Sequence, residues 1–220
     1  MTEIWALVRK DLVSEWRSRE VSLSAFVFSI LAILIFSFAF GPDQGDLRRV
    51  VPGVLWLIFI FASILVLNAS FSIESEEGGL EGVLMTPLDR GTIYLGKVLG
   101  NFIFIFLIDI IVLSICQFML VQIRPEAFLR LILIISLGMF GITSVGTLFS
   151  AISANSRMRE ILLPILLLPV VVPVLIACVK ATDAILNGGG DALQWVKVLI
   201  PFDAIYISVS SLAFDYVVVE

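Results

Sequence analysis

The chain contains no histidine. It therefore offers no imidazole to ligate zinc or iron and no histidine general base. Charge is scarce as well: 14 Lys plus Arg and 19 Asp plus Glu in 220 residues, against 60% hydrophobic residues and a mean hydropathy of +1.09. A soluble domain of this size needs more polar side chains than that to cover its surface. The composition is that of an integral membrane protein. No basic tract or aromatic-basic patch occurs, which excludes nucleic acid binding. The two cysteines, Cys116 and Cys178, lie inside apolar stretches and form no CxxC, so they read as buried free thiols. GxSxG, HExxH and a phosphate-cradling glycine loop with its lysine are all missing. No catalytic constellation and no metal site emerges, and any ATP that drives this chain binds another polypeptide.

What the chain does contain is a series of apolar runs. Residues 1–20 lack the apolar core and cleavage site of a signal peptide. There Trp5, Val8, Leu12 and Trp16 recur at helical spacing, with Arg9, Lys10, Glu15, Arg17 and Arg19 largely elsewhere around the helix. This predicts an amphipathic helix lying in the membrane interface, although a helix packed on a soluble partner would look similar. Spans long enough to cross a bilayer are predicted at about 21–40, 51–73, 97–122, 131–154, 161–179 and 195–219. Residues 41–46 read as a turn-rich loop, and 180–194, with its Gly188-Gly189-Gly190 run, as a longer polar loop able to dip back into the membrane. Asn68, Ser70 and Ser72 are candidate interhelical hydrogen-bonding groups. The fold class is all-α and membrane-integral, with six transmembrane helices, the N-terminal amphipathic helix and a short helix between spans two and three.

That short helix belongs to the most polar stretch after the first twenty residues, ESEEGGLEGVLMTPLDR, from Glu74 to Arg90. Such a charge cluster must sit in water. Leu80, Val83, Leu84 and Leu88 nevertheless mark one face of a helix that Thr86-Pro87 would stop, the pattern of a docking element with acidic groups for a basic partner. Within the spans, Asp109 interrupts the third, about twelve residues from either end. A charge there costs about 2.5 to 3.5 kcal/mol on insertion scales. It reads either as a substrate- or proton-handling carboxylate or as a helix–helix hydrogen bond, to a serine or a partner subunit. Pro164, Pro169 and Pro173 mark the fifth span as a flexible gating helix or a rigid kinked one. Asp203 and Asp215 fall near the two ends of the sixth.

An even number of spans puts both termini on one side. That side carries eight of the fourteen basic residues, which favours a cytoplasmic N-terminus.

The Glu74 loop, GGLEGVLMTP followed by Gly96-Lys97, resembles the segment between the second and third helices of ABC-2 type transporter permeases. The segments SANSRMREILLPILLLPVVVPVLIACVKAT and WVKVLIPFDAIYISVSSLAFDYVVVE resemble the haem exporter protein B family of the cytochrome c maturation system. Arg159-Glu160 running into Pro164, Pro169 and Pro173, then Trp195, Phe202 and Asp203, are the most specific features. The resemblance covers essentially the whole chain and implies a single ABC-2-type transmembrane domain over 1–220, in a bacterial inner membrane. It implies a separate ATPase subunit, a second copy of the chain, small membrane proteins that load haem, and a periplasmic haem chaperone. Glu74, Gly79, Leu80, Glu81, Leu84 and Pro87 would then form the ATPase-coupling surface. ATP would sit on the partner, no cofactor would be bound by this chain alone, and haem would be a handled substrate. Tyr94, Tyr206, Tyr216, methionine and cysteine are weaker iron ligands than the missing histidine. Two further readings stand beside this one: a generic permease for a lipid or drug, and a mechanical assembly subunit through which nothing crosses.

Overall fold

A computed structural model of the chain describes residues 4, 5, 7–10, 13, 20–40, 44–76, 89–154, 156 and 158–217. Six long helices account for nearly all of them: α1 (Glu20–Phe40), α2 (Gln44–Glu76), α3 (Arg90–Met119), α4 (Pro125–Ala154), α5 (Arg159–Asn187) and α6 (Ala192–Val217). Each is long and apolar enough to cross a membrane. In hydrocarbon a backbone must satisfy its own hydrogen bonds, so uninterrupted apolar runs become helices even where prolines intervene. Successive helices are joined end to end, so their ends alternate. One end of the bundle gathers Glu76, Arg90, Ala154, Arg159 and Val217; the other gathers Phe40, Gln44, Met119, Pro125, Asn187 and Ala192.

Helix α4 is the hub, packing on α2, α3, α5 and α6. Its membrane window is 72% buried, as is that of α2, whereas those of α1 and α6 are only 17% buried. The two central helices form the core and the two peripheral ones face lipid. On α1, Leu23, Val27, Leu31 and Ile35 make an exposed stripe at four-residue spacing, as a lipid-facing helix surface should. The core is filled by large side chains, among them Trp56, Phe59, Leu67, Ile105, Leu113 and Met139. A smaller cluster of Ile93, Tyr94, Val98, Leu148 and Phe214 closes the Arg90 end.

Several expected boundaries move. Helix α3 starts at Arg90 rather than at 97, because Ile93, Tyr94 and Val98 already have a core to enter. It also ends at Met119, and Leu120, Val121 and Ile123 are buried in the turn that follows. Lys97, expected as the first residue of the span, is accordingly buried well inside α3. Helix α2 already begins at Gln44, inside the expected turn-rich segment.

The largest correction is α5. The polar loop expected from 180 to 194 is helix as far as Asn187. Ala181 and Thr182 are buried and Ile185 and Leu186 pack on the core, so the inward stripe of Val174, Ala177 and Cys178 simply continues. Asn187 Nδ2 ties this end to α2 by donating to the Arg48 carbonyl at 3.1 Å. Gly188, at φ 71°, then ends the helix in a left-handed cap that other residues enter at a cost.

The prolines of α5 do not break it. Pro169 and Pro173 lie on its exposed face. In the turn between them the Val170 carbonyl accepts a hydrogen bond from Tyr206 Oη of α6 at 2.6 Å. This bond anchors the proline-rich stretch to its neighbour.

At the N-terminus, Ile4, Trp5, Leu7–Lys10 and Val13 are helical. Val8 is buried, and Leu7 lies against Gly96 of α3, while Trp5 is exposed. The apolar face expected to run continuously through Trp5 and Val8 is thus split between the bundle and the outside. Leu12 and Trp16 lie outside the described residues.

Candidate functional site

Of the residues singled out for ATPase coupling, the described residues include only Glu74. Glu74 is in the last turn of α2, although its side chain is outside the described residues. Gly79, Leu80, Glu81, Leu84 and Pro87 lie outside them altogether. The description resumes at Asp89, whose carbonyl accepts from the amides of Thr92 and Ile93 to start α3. At the same end Arg159, half-buried, and the exposed Glu160 open α5. With Ser156, Met158 and Ile161 they line a depression of about 400 Å³.

Above this end lies a belt of polar contacts between α2, α3 and α4. Ser70 Oγ donates to Asn101 Oδ1 at 2.8 Å, and Asn101 Nδ2 donates to Thr147 Oγ1 at 3.1 Å. Tyr94 Oη donates to the Ser144 carbonyl at 3.0 Å, and Ser150 Oγ donates to the Leu67 carbonyl. Ser70 was visible in the sequence as a hydrogen-bonding candidate. Asn101 was missed, though an amide inside an apolar span was itself the signal. Polar bridges of this kind hold helices together where no water competes.

Deeper in the bundle, Asp203 sits near the middle of α6 rather than near its end, and it is buried. The sequence placed it by a span that began later than the real helix. Its carboxylate lies against the backbone of Gly141 in α4: a Cβ there would overlap Asp203 Oδ1 and come within 3.6 Å of Tyr206 Cδ2. One turn away, Gly138 gives the same access to Cys178 Sγ and to Trp56, whose Cη2 would be 2.6 Å from an added Cβ. Trp56 Nε1 in turn donates to Thr182 Oγ1 at 2.9 Å. Gly138 and Gly141 therefore form the surface against which α2, α5 and α6 converge. Phe202 packs its ring on Tyr206, centroids 5.7 Å apart, and Trp195 lies half-buried against the core.

Asp109 lies nearer the Met119 end of α3 than the Arg90 end. It is completely buried, and neither carboxylate oxygen has a hydrogen-bond partner among the described residues. Enclosure within the chain also removes it from a partner subunit's reach. Its folded environment gives nothing back for its desolvation. Asp109→Leu is therefore expected to stabilise the protein by about 1–3 kcal/mol, read as a raised unfolding midpoint in detergent micelles. A lowered midpoint would mean the carboxylate makes a contact that holds the bundle. Among the described residues no group of three or more His, Cys, Asp or Glu is placed to hold a metal ion, and both thiols are buried and free.

This six-helix chain, with its proline-rich α5 and its buried Asp203 on α6, matches the family model described as CcmB protein over residues 2–219. The chain belongs to the CcmB protein family. Among curated CcmB relatives, "Heme exporter protein B" of Bradyrhizobium diazoefficiens is 30% identical over 190 residues, covering 86% of this chain and 84% of its own length. The protein of the same name from Haemophilus influenzae is 25% identical over 178 residues, covering 81% and 80%. That of Escherichia coli K12 is 27% identical over 185 residues, covering 82% and 81%. The CcmB match embraces every helix described above and the connection between α2 and α3.

Proposed function

We propose that the chain is the permease subunit of an ABC transporter complex for cytochrome c maturation. It couples ATP hydrolysis on a separate subunit to haem export, or to release of a haem-loaded periplasmic chaperone. The observation that carries this reading is the match to the CcmB family over nearly the whole chain, with relatives named heme exporters, on a six-helix membrane fold. The chain would act as one transmembrane domain, paired with a second copy, without catalysis of its own. The end bearing Glu74 and Arg159 would face the cytoplasm with the N-terminus, where the positive-inside bias favours it. Glu74, Gly79, Leu80, Glu81, Leu84 and Pro87 would meet the ATPase there. Haem-loading membrane proteins and the chaperone would meet the complex from the membrane and the opposite side.

The centre of the bundle favours a particular version of this function. Trp56, Phe59, Leu67 and Met139 fill it, and Gly138 and Gly141 draw the helices together. A substrate would pass between copies rather than through one. The mechanical reading, in which ATP hydrolysis reshapes a haem-handling complex and nothing crosses, is favoured by the same filled centre.

The test is co-purification of the tagged chain with its ATPase and haem-loading subunits. Glu81→Arg combined with Leu84→Asp is expected to abolish ATPase recovery while the chain stays folded in the membrane, since it reverses a charge and polarises the apolar face. Undiminished recovery would remove the loop from the interface. An ATPase that fails to co-purify even with the unaltered chain would overturn the permease reading itself.

A further inference from the structure

At the end of the bundle opposite the Glu74 loop, a cavity of about 650 Å³ opens between the start of α2 and the turn from α3 to α4. Arg48 lines it from α2. Gln117, Phe118, Met119, Gln122 and Arg124 line it from the α3 end and the turn. Both arginines are exposed. Among the described residues neither guanidinium has a carboxylate or hydrogen-bond partner. Glu126, the nearest acidic residue along the turn, is not part of the lining. Beside these cations stand two large exposed apolar side chains, Phe118 and Met119.

Two positive charges in one cavity select for an anion. Guanidinium groups present paired N–H donors that match phosphate or carboxylate oxygens, and the glutamine amides add neutral donors. The cavity lies where the spans end, which is headgroup depth in a bilayer. Basic pockets between transmembrane helices bind acidic headgroups by this logic. Exposed Phe118 and Met119 continue the site into apolar surroundings, so a free inorganic ion would leave half of it unused.

We propose that the cavity bounded by Arg48, Arg124 and Phe118 binds an anionic amphiphile, its phosphate or carboxylate between the two guanidiniums and its apolar body along Phe118 and Met119. Two sources share this chemistry: an acidic phospholipid of the surrounding leaflet and a carboxylated porphyrin. The second depends on the haem-handling reading above; the first does not.

Native mass spectrometry of the full chain in detergent micelles tests the site with named probes. The chain would be titrated with phosphatidylglycerol against phosphatidylcholine, and separately with mesoporphyrin against its dimethyl ester. The unaltered chain is expected to retain phosphatidylglycerol over phosphatidylcholine. Arg48→Gln combined with Arg124→Gln should reduce that retention on the order of tenfold. Arg49→Gln, one residue along and not in the lining, should leave it unchanged and controls for folding. Mesoporphyrin retained in preference to its ester, with the same loss in the double variant, assigns the carboxylate source. Phosphatidylglycerol retention without that preference assigns the lipid source and leaves the haem reading to its own test. Equal retention of every probe by the unaltered chain and the double variant would overturn the site.

Discussion

Gly138→Leu is expected to destabilise the bundle by about 3 kcal/mol, the upper range for overpacking a filled core. A Cβ at this position already overlaps Cys178 Sγ and stands 2.6 Å from Trp56 Cη2 and 3.1 Å from Cζ3. The indole cannot retreat without breaking its bond to Thr182 or pressing on Phe59, which meets it edge-on at 5.6 Å. The measurement is the unfolding midpoint in detergent micelles, with Gly53→Leu as the control. Gly53 lies in α2 with nothing within 4 Å of an added Cβ, so leucine there should be tolerated. Gly138→Ala should be milder, and Cys178→Ala should partly restore it by vacating the space of the sulfur, a coupling that a double-mutant cycle reads directly. A Gly138→Leu midpoint equal to that of the unaltered chain would disprove close approach of α2, α4 and α5.

Trp56→Ala is expected to cost about 3–5 kcal/mol, the range for deleting a large buried aromatic. Trp56 is 2% exposed and is the largest side chain in the core. Its loss removes the contact with Gly138, the edge-on packing against Phe59 and the hydrogen bond to Thr182 together. Trp56→Phe separates these contributions. It keeps most of the apolar fill but strands the Thr182 hydroxyl, which can turn to its own helix backbone, so about 1 kcal/mol is expected. Thr182→Val should match Trp56→Phe, because each removes one end of the same bond. A Trp56→Ala midpoint within a degree of the unaltered chain would mean that the indole lies outside the core.

These two sites show where sequence legibility stops. Trp56 was readable only as one more apolar residue of the second span, and Thr182 as part of a polar loop. A stripe that could have revealed the helix was present: Val174, Ala177, Cys178, Ala181, Thr182 and Ile185 keep helical spacing past Lys180. The lone lysine and the Gly188 run outweighed it. Likewise Asp203 was placed near a span end because the polar residues before Trp195 suggested a later helix start. The Glu74–Arg90 stretch stood out by contrast alone, since charge between two apolar runs needs no tertiary information.

Taken by itself, the sequence determined that the chain is an all-helical membrane protein with six crossings, because a bilayer tolerates only backbones that satisfy themselves over some twenty apolar residues. It also determined the absence of histidine chemistry, and it contained the segments that mark the family. Which helices lie at the centre was decided only by tertiary structure. In a membrane every span is apolar on all sides, so hydrophobicity no longer distinguishes inside from outside. Gly138 and Gly141 let α4 become the hub only because Cys178, Trp56 and Asp203 of other helices meet them. Tertiary structure likewise placed Asp203 and Asp109 in the interior and put Arg48 and Arg124 in the lining of one cavity at the far end. Those meetings join residues distant in the chain, and one-dimensional spacing holds no record of them.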